Sequence, residues 1–69
     1  MNKNKLKAKM MEHGDSCNEL AKYLGIHRSC LSAKMNRYRG AEFTQSEIDA
    51  MIKRYNMTNE DVVAIFFEN

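Results

Sequence analysis

The stretch from Ser16 to Asn36, SCNELAKYLGIHRSCLSAKMN, leaves the chain little choice of fold. It holds two short helical patterns separated by a sharp turn, and particular residues set the boundaries. Ser16 followed by Glu19 is a capping box, in which each side chain satisfies a backbone N–H at a helix start. The first helix therefore begins near Cys17. Leu20, Ala21 and Leu24 give it one apolar face of 3.6-residue period, with Ala21 small enough to let another helix come close. Gly25 ends it, because glycine takes the left-handed C-terminal conformation without a Cβ penalty. Ile26 anchors the turn inward. A second helix runs from about 28 to 36, with Leu31 and Met35 facing in and Arg28, Ser29, Ser32 and Ala33 facing out. Its outer face is small, polar and basic.

The rest of the chain supplies a core for this unit. Lys3, Lys5, Lys7 and Lys9 alternate with other residues, so residues 1 to 4 are expected to form a flexible basic arm. Leu6 and Met10 begin the first helix, which Met11 and His13 close and Gly14 stops. Thr44 and Glu47 make a second capping box, with Phe43 and Ile48 as its hydrophobic staple. Ile48, Met51, Ile52 and Tyr55 then form an apolar stripe that Asn56 ends. Met57, Thr58 and Asp61 repeat the start signal, with Met57 against Val62, for a helix through Ile65 and Phe66. The expectation is a single all-α domain of five helices over residues 1–69. A chain of this size buries only about 60% of its unfolded surface. The absence of proline and the presence of only three glycines favour helices over strands. No apolar run is long enough to span a membrane, and the basic amino end lacks the apolar centre of a secretory signal. A cytoplasmic setting is expected.

Charge is segregated along the chain. Residues 1 to 39 carry nine Lys or Arg against three acids, a balance of +6, whereas residues 40 to 69 balance at −4. A polarised distribution of this kind attracts a polyanion in a defined orientation, since neutralised phosphates release counterions. Other chemistry finds little support. His13, Cys17, His27 and Cys30 are the residue types of a zinc site, but a chain with a full set of helical core residues needs no metal staple. Free thiols are expected in a reducing compartment, with no disulfide. No nucleophile–base pair, phosphate-cradling glycine loop or inward carboxylate pair is legible, so no enzyme, metal or cofactor is expected.

Ala21, Gly25, Ile26 and Leu31 at these spacings resemble the helix-turn-helix of the lambda-repressor and Cro-like group of prokaryotic and phage regulators. The strings LSAKMN and FTQSEI, with IFF near the end, look more closely like small repressor-like proteins of prophages in Gram-positive bacteria. The resemblance spans nearly the whole chain. Asp15 and Lys34 depart from it, standing where many members place a buried apolar residue.

The resemblance implies a DNA-binding regulator that occludes a promoter. A helix of about ten residues spans about 15 Å and fits the major groove. Residues of its amino-terminal half would reach base edges, which points to Arg28, Ser29, Ser32 and Ala33. Phosphate contacts are expected from Cys17 and Asn18 at the first turn of the preceding helix, and from Lys22, His27, Lys34, Asn36, Arg37 and Arg39. Tyr38 is expected to pack its ring on the core, with an offer of its hydroxyl to a phosphate as the alternative. One helix reads too few base pairs, so a homodimer on an inverted-repeat operator is expected, with half-sites about 34 Å apart. Val63, Phe66 and Phe67 form its contact. The rival expectation is a protein-interaction module, antirepressor or antitoxin-like, with little DNA affinity.

Overall fold

Helices begin where a side chain can accept a backbone N–H. In the computed structural model, which describes residues 1–67, α1 covers Lys3–Glu12, α2 Cys17–Leu24, α3 Arg28–Asn36, α4 Gln45–Tyr55 and α5 Asn59–Val62. Ser16 and Glu19, Thr44 and Glu47, and Thr58 and Asp61 close reciprocal capping boxes, each satisfying two of the backbone donors a helix start leaves unpaired. Helix ends are equally local. Gly25 stops α2 at φ 73° and Asn56 stops α4 at φ 48°, both left-handed and both residue types that tolerate that region.

The five helices enclose one core in a body of 26 × 25 × 20 Å, and no strand occurs among the described residues. Leu6 and Met10 of α1, Leu20 and Ala21 of α2, Leu31 and Met35 of α3, and Met51 and Tyr55 of α4 are buried together with Met57 and Ile65. Leu24, Ile26, Phe43, Ile52, Val62 and Phe66 pack around them half-buried. Four of these ten buried residues are methionines, whose flexible thioethers fill irregular gaps between short helices.

Two terminal features depart from the sequence reading. Residues 1 to 4 do not form an arm: Asn2 caps α1 by accepting the N–H of Lys5, and Met1 packs against the core. The Asn2 N–H donates to the Ile65 carbonyl at 2.6 Å, which fastens the start of the chain to its last helical turns. This pairing joins residues far apart in sequence, so local lysine alternation carries no sign of it. At the other end α5 is a single turn, after which Val63–Phe67 widen into a π turn. In this turn Ile65 is buried, Phe66 is half-buried, and Val63 and Phe67 are exposed.

Asp15 and Lys34 both sit in ion pairs with α4. Asp15, in the turn between α1 and α2, has a side chain only 4% exposed and accepts two N–H bonds from Arg54 of α4, each 2.7 Å. The Tyr55 hydroxyl donates to the same carboxylate, and the Arg54 guanidinium lies over the Tyr23 ring, 4.5 Å from its centre. Lys34 of α3 donates to both oxygens of Glu47 at 2.7 Å. Lys9 joins α1 to Asp61 of α5 at 3.2 Å. Glu47 and Asp61 thus serve twice, as the capping acid of their own helix and as partner to a lysine on another.

Candidate nucleic-acid interface

One exposed polar surface of the first half is the outer side of α3. Leu31 and Met35 are buried, so the opposite side of this nine-residue helix must face solvent. Arg28, Ser29 and Ser32 are exposed there and Ala33 is half-buried. Ser29, Ser32, Ala33, Asn36 and Tyr38 line one shallow open recess. The expected outward stripe is therefore contiguous, and it continues past the end of the helix.

The turn before α3 fixes how that stripe is presented. The Gly25 N–H bonds back to the carbonyls of Ala21 and Lys22, and the Ile26 N–H to Ala21 at 3.0 Å, while the Ile26 side chain packs on the core. His27 caps α3: its Nδ1 accepts the Ser29 N–H at 3.2 Å and lies 2.8 Å from the Ser29 hydroxyl. That leaves Nε2 as the imidazole atom free to meet a ligand, and it constrains one of the two outward serines. On α2, Asn18 and Lys22 are exposed, whereas the Cys17 side chain is half-buried on the core, so only its backbone N–H points to the helix start. Cys30 is an exposed thiol on α3.

At the carboxyl end of α3 the expected phosphate contacts separate. Lys34 is a correction: with Leu31 and Met35 it lies on the i, i+3, i+4 stripe that faces α4, and its ammonium is held by Glu47. Burial pushes the Glu47 carboxyl up, but Lys34 and the Thr44 N–H together pull it below its ordinary value, so Glu47 is a carboxylate at neutral pH. Asn36 donates to the Ser32 carbonyl at 2.9 Å and accepts from the Lys3 ammonium at 2.6 Å. Its amide therefore places a cation from α1 beside α3, a contact that the arm reading missed. Arg37 pairs with Glu42, both exposed, an arrangement of little energetic weight that a phosphate can displace. Arg39 makes no ion pair among the described residues, and its guanidinium lies 5.3 Å from the centre of the Tyr38 ring. Tyr38 is 61% exposed, not packed in the core as the sequence reading has it.

Ion pairing leaves most of the unpaired cations in the first half. Lys9, Lys34, Arg37 and Arg54 are matched inside the domain. Among the described residues Lys3, Lys5, Lys7, Lys22, Arg28 and Arg39 remain without an acidic partner, and from the second half only Lys53.

The expected dimer residues also divide. Phe66 packs edge-on against Phe43, centroids 6.2 Å apart at 83°, and belongs to the domain's own interior, whereas Val63 and Phe67 are 51% and 67% exposed. No group of three or more His, Cys, Asp or Glu among the described residues is placed to hold a metal ion.

Fold and surface together define an all-helical domain that displays a short polar helix with cations at both of its ends, and none of its described helices is long and apolar enough to cross a membrane. Comparison with models of known families, with curated proteins and with solved structures returns no match.

Proposed function

We propose that this chain is a sequence-specific double-stranded DNA-binding transcription regulator of the lambda-repressor and Cro kind, with α2 and α3 as its helix-turn-helix. On this reading it acts as a phage or prophage repressor by occluding a promoter. The observation that carries the proposal is the exposed stripe of Ser29, Ser32 and Asn36 on α3, framed by Arg28 at one end and by Lys3 and Arg39 at the other. Small side chains let the helix backbone approach base edges, and flanking cations match the two phosphate strands that border a major groove. Arg28 donates two bonds to guanine O6 and N7, Ser29 and Ser32 bond to base edges, and the Ala33 methyl meets a thymine methyl. The first turn of α2 with Asn18, together with Lys22, His27 Nε2, Arg37 and Arg39, holds the phosphates and sets register.

A single α3 reads too little sequence, so two copies bind an inverted repeat, with Val63 and Phe67 as the remaining apolar contact between them. The test is a salt titration of binding to random duplex beside selection from a randomised duplex pool. A steep loss of affinity with salt and an enriched inverted repeat are expected. Arg28→Ala should cost about 1–3 kcal/mol at one base position and relax preference there, whereas Arg39→Ala should weaken all sequences alike. Unchanged base preference in Arg28→Ala would show that the reading helix is placed in the wrong register. The exposed Val63 and Phe67 favour a second reading, a protein-interaction module of the antirepressor or antitoxin kind, which predicts tight protein binding and no salt-dependent duplex affinity.

A further inference from the structure

Tyr38 is an aromatic residue that the core does not use. The buried cluster closes without it, and its ring stands beside Ser29, Ser32, Ala33 and Asn36 as a wall of the recess along α3. A lone exposed tyrosine is ordinary, but this one is flanked by two arginines in an uncommon backbone conformation and covered on one face. Arg37 before it and Arg39 after it both take left-handed backbone, at φ 52° and 53°, a conformation uncommon for residues other than glycine. At Arg37 this conformation closes α3 as its C-cap, and at Arg39 it bends the following turn, so together they set where Tyr38 stands. The Arg39 guanidinium covers one face of the ring. The other face and the hydroxyl are left to solvent.

We infer that Tyr38 is a further DNA-contacting residue, which packs its ring on a deoxyribose and donates its hydroxyl to a phosphate oxygen at the carboxyl end of α3. The inference rests on the DNA-binding reading above. Its target is backbone rather than base because the amino-terminal residues of a recognition helix point at base edges, while Tyr38 lies beyond the opposite end, at the groove rim. A tyrosine suits that place. It offers a rigid apolar body with one polar tip, and ordering it costs little because only two torsions are restrained. Arg39 acts here partly through Tyr38, holding the ring upright while its own guanidinium meets the adjacent phosphate.

The experiment measures binding of the whole chain, and of Tyr38→Ala, Tyr38→Phe and Arg39→Ala, to the duplex recovered by selection and to an unrelated duplex. Each titration is run at several salt concentrations, with thermal melts alongside. Tyr38→Ala should weaken both duplexes by the same factor, about tenfold, and Tyr38→Phe by about threefold, with melting temperatures unchanged. Neither should alter the dependence of log affinity on log salt, since no charge is lost, whereas Arg39→Ala should lower that slope by about one. Wild-type affinity in Tyr38→Ala overturns the inference. So does a loss confined to the selected duplex, which would make Tyr38 a base reader, and so does a Tyr38→Ala defect that Tyr38→Phe fully restores along with a lost melting temperature, which would make it structural. Absence of duplex binding by the unaltered chain overturns both this inference and the regulator reading, whereas unaltered binding by Tyr38→Ala overturns this inference alone, so the two failures are told apart.

Discussion

Taking the Asp15 carboxylate out of water costs several kcal/mol, which only close hydrogen-bonded partners recover, and Arg54 and Tyr55 supply three donors to it. Removing one partner of such a pair strands the other. Asp15→Ala should therefore lower unfolding free energy by about 2–3 kcal/mol, at or below the low end for a buried pair because Arg54 keeps contact with water and with Tyr23. Adding Arg54→Met and Tyr55→Phe to Asp15→Leu, which removes both donors along with the acceptor, should recover most of the loss that Asp15→Leu incurs alone, as denaturant unfolding of the series would show. The same residue gives the protein an acid limit. Arg54 beside it holds the Asp15 carboxyl below its ordinary value, against the upward push of burial. Glu47 and Asp61 are also lowered, Asp61 chiefly by the Thr58 N–H and then by Lys9. A folded carboxyl that is more acidic than its unfolded counterpart contributes stability that is complete above about pH 5 and lost as pH falls through the folded value. Urea midpoints should thus be flat from about pH 7 to 5 and fall steeply below about pH 4. The fall should be shallower in Asp15→Asn, and an equally steep one there would remove Asp15 from the account.

At the scale of the helix, Glu47 couples the start of α4 to the flank of α3 through Lys34. Lys34→Met should lower stability by about 1–2 kcal/mol, because Glu47 keeps its capping bonds but loses its cation, and it should leave the salt dependence of duplex binding unchanged. A salt slope reduced by one would return Lys34 to the phosphate contacts. The starts of α2, α4 and α5 are legible in the sequence because a capping box lies within four consecutive residues, and so are the inward faces of α2, α3 and α4, which local period determines. Lys34 is not legible in that way. Its partner is 13 residues off, although a lysine beside Leu31 and Met35 on the inward stripe is a signal that it needs an acid. The Asn2–Ile65 bond and the Asp15–Arg54 pair are likewise tertiary, so α1 reads too short and Asp15 reads only as an anomaly. Tyr38 misleads for another reason: nothing in a local pattern tells that the core is already full.

For the molecule as a whole, five short helices rest on a methionine-rich core and three ion pairs that join helices, with Val63 and Phe67 left outside. Phe67→Asp should leave the thermal melt within about 1 kcal/mol of the unaltered chain, since the ring is exposed, and should make duplex binding less cooperative in protein concentration. Cooperativity that survives this change would place the contact between copies elsewhere. The two left-handed arginines have a wider implication. Glycine or asparagine would hold the backbone at positions 37 and 39 with less strain, so a laboratory selection for heat resistance alone should drift toward those residues. Each such step would make a sturdier domain and erase a cation beside α3. Robustness and the proposed recognition of DNA are thus opposed in one short loop, and variants bred for the first should be assayed for the second.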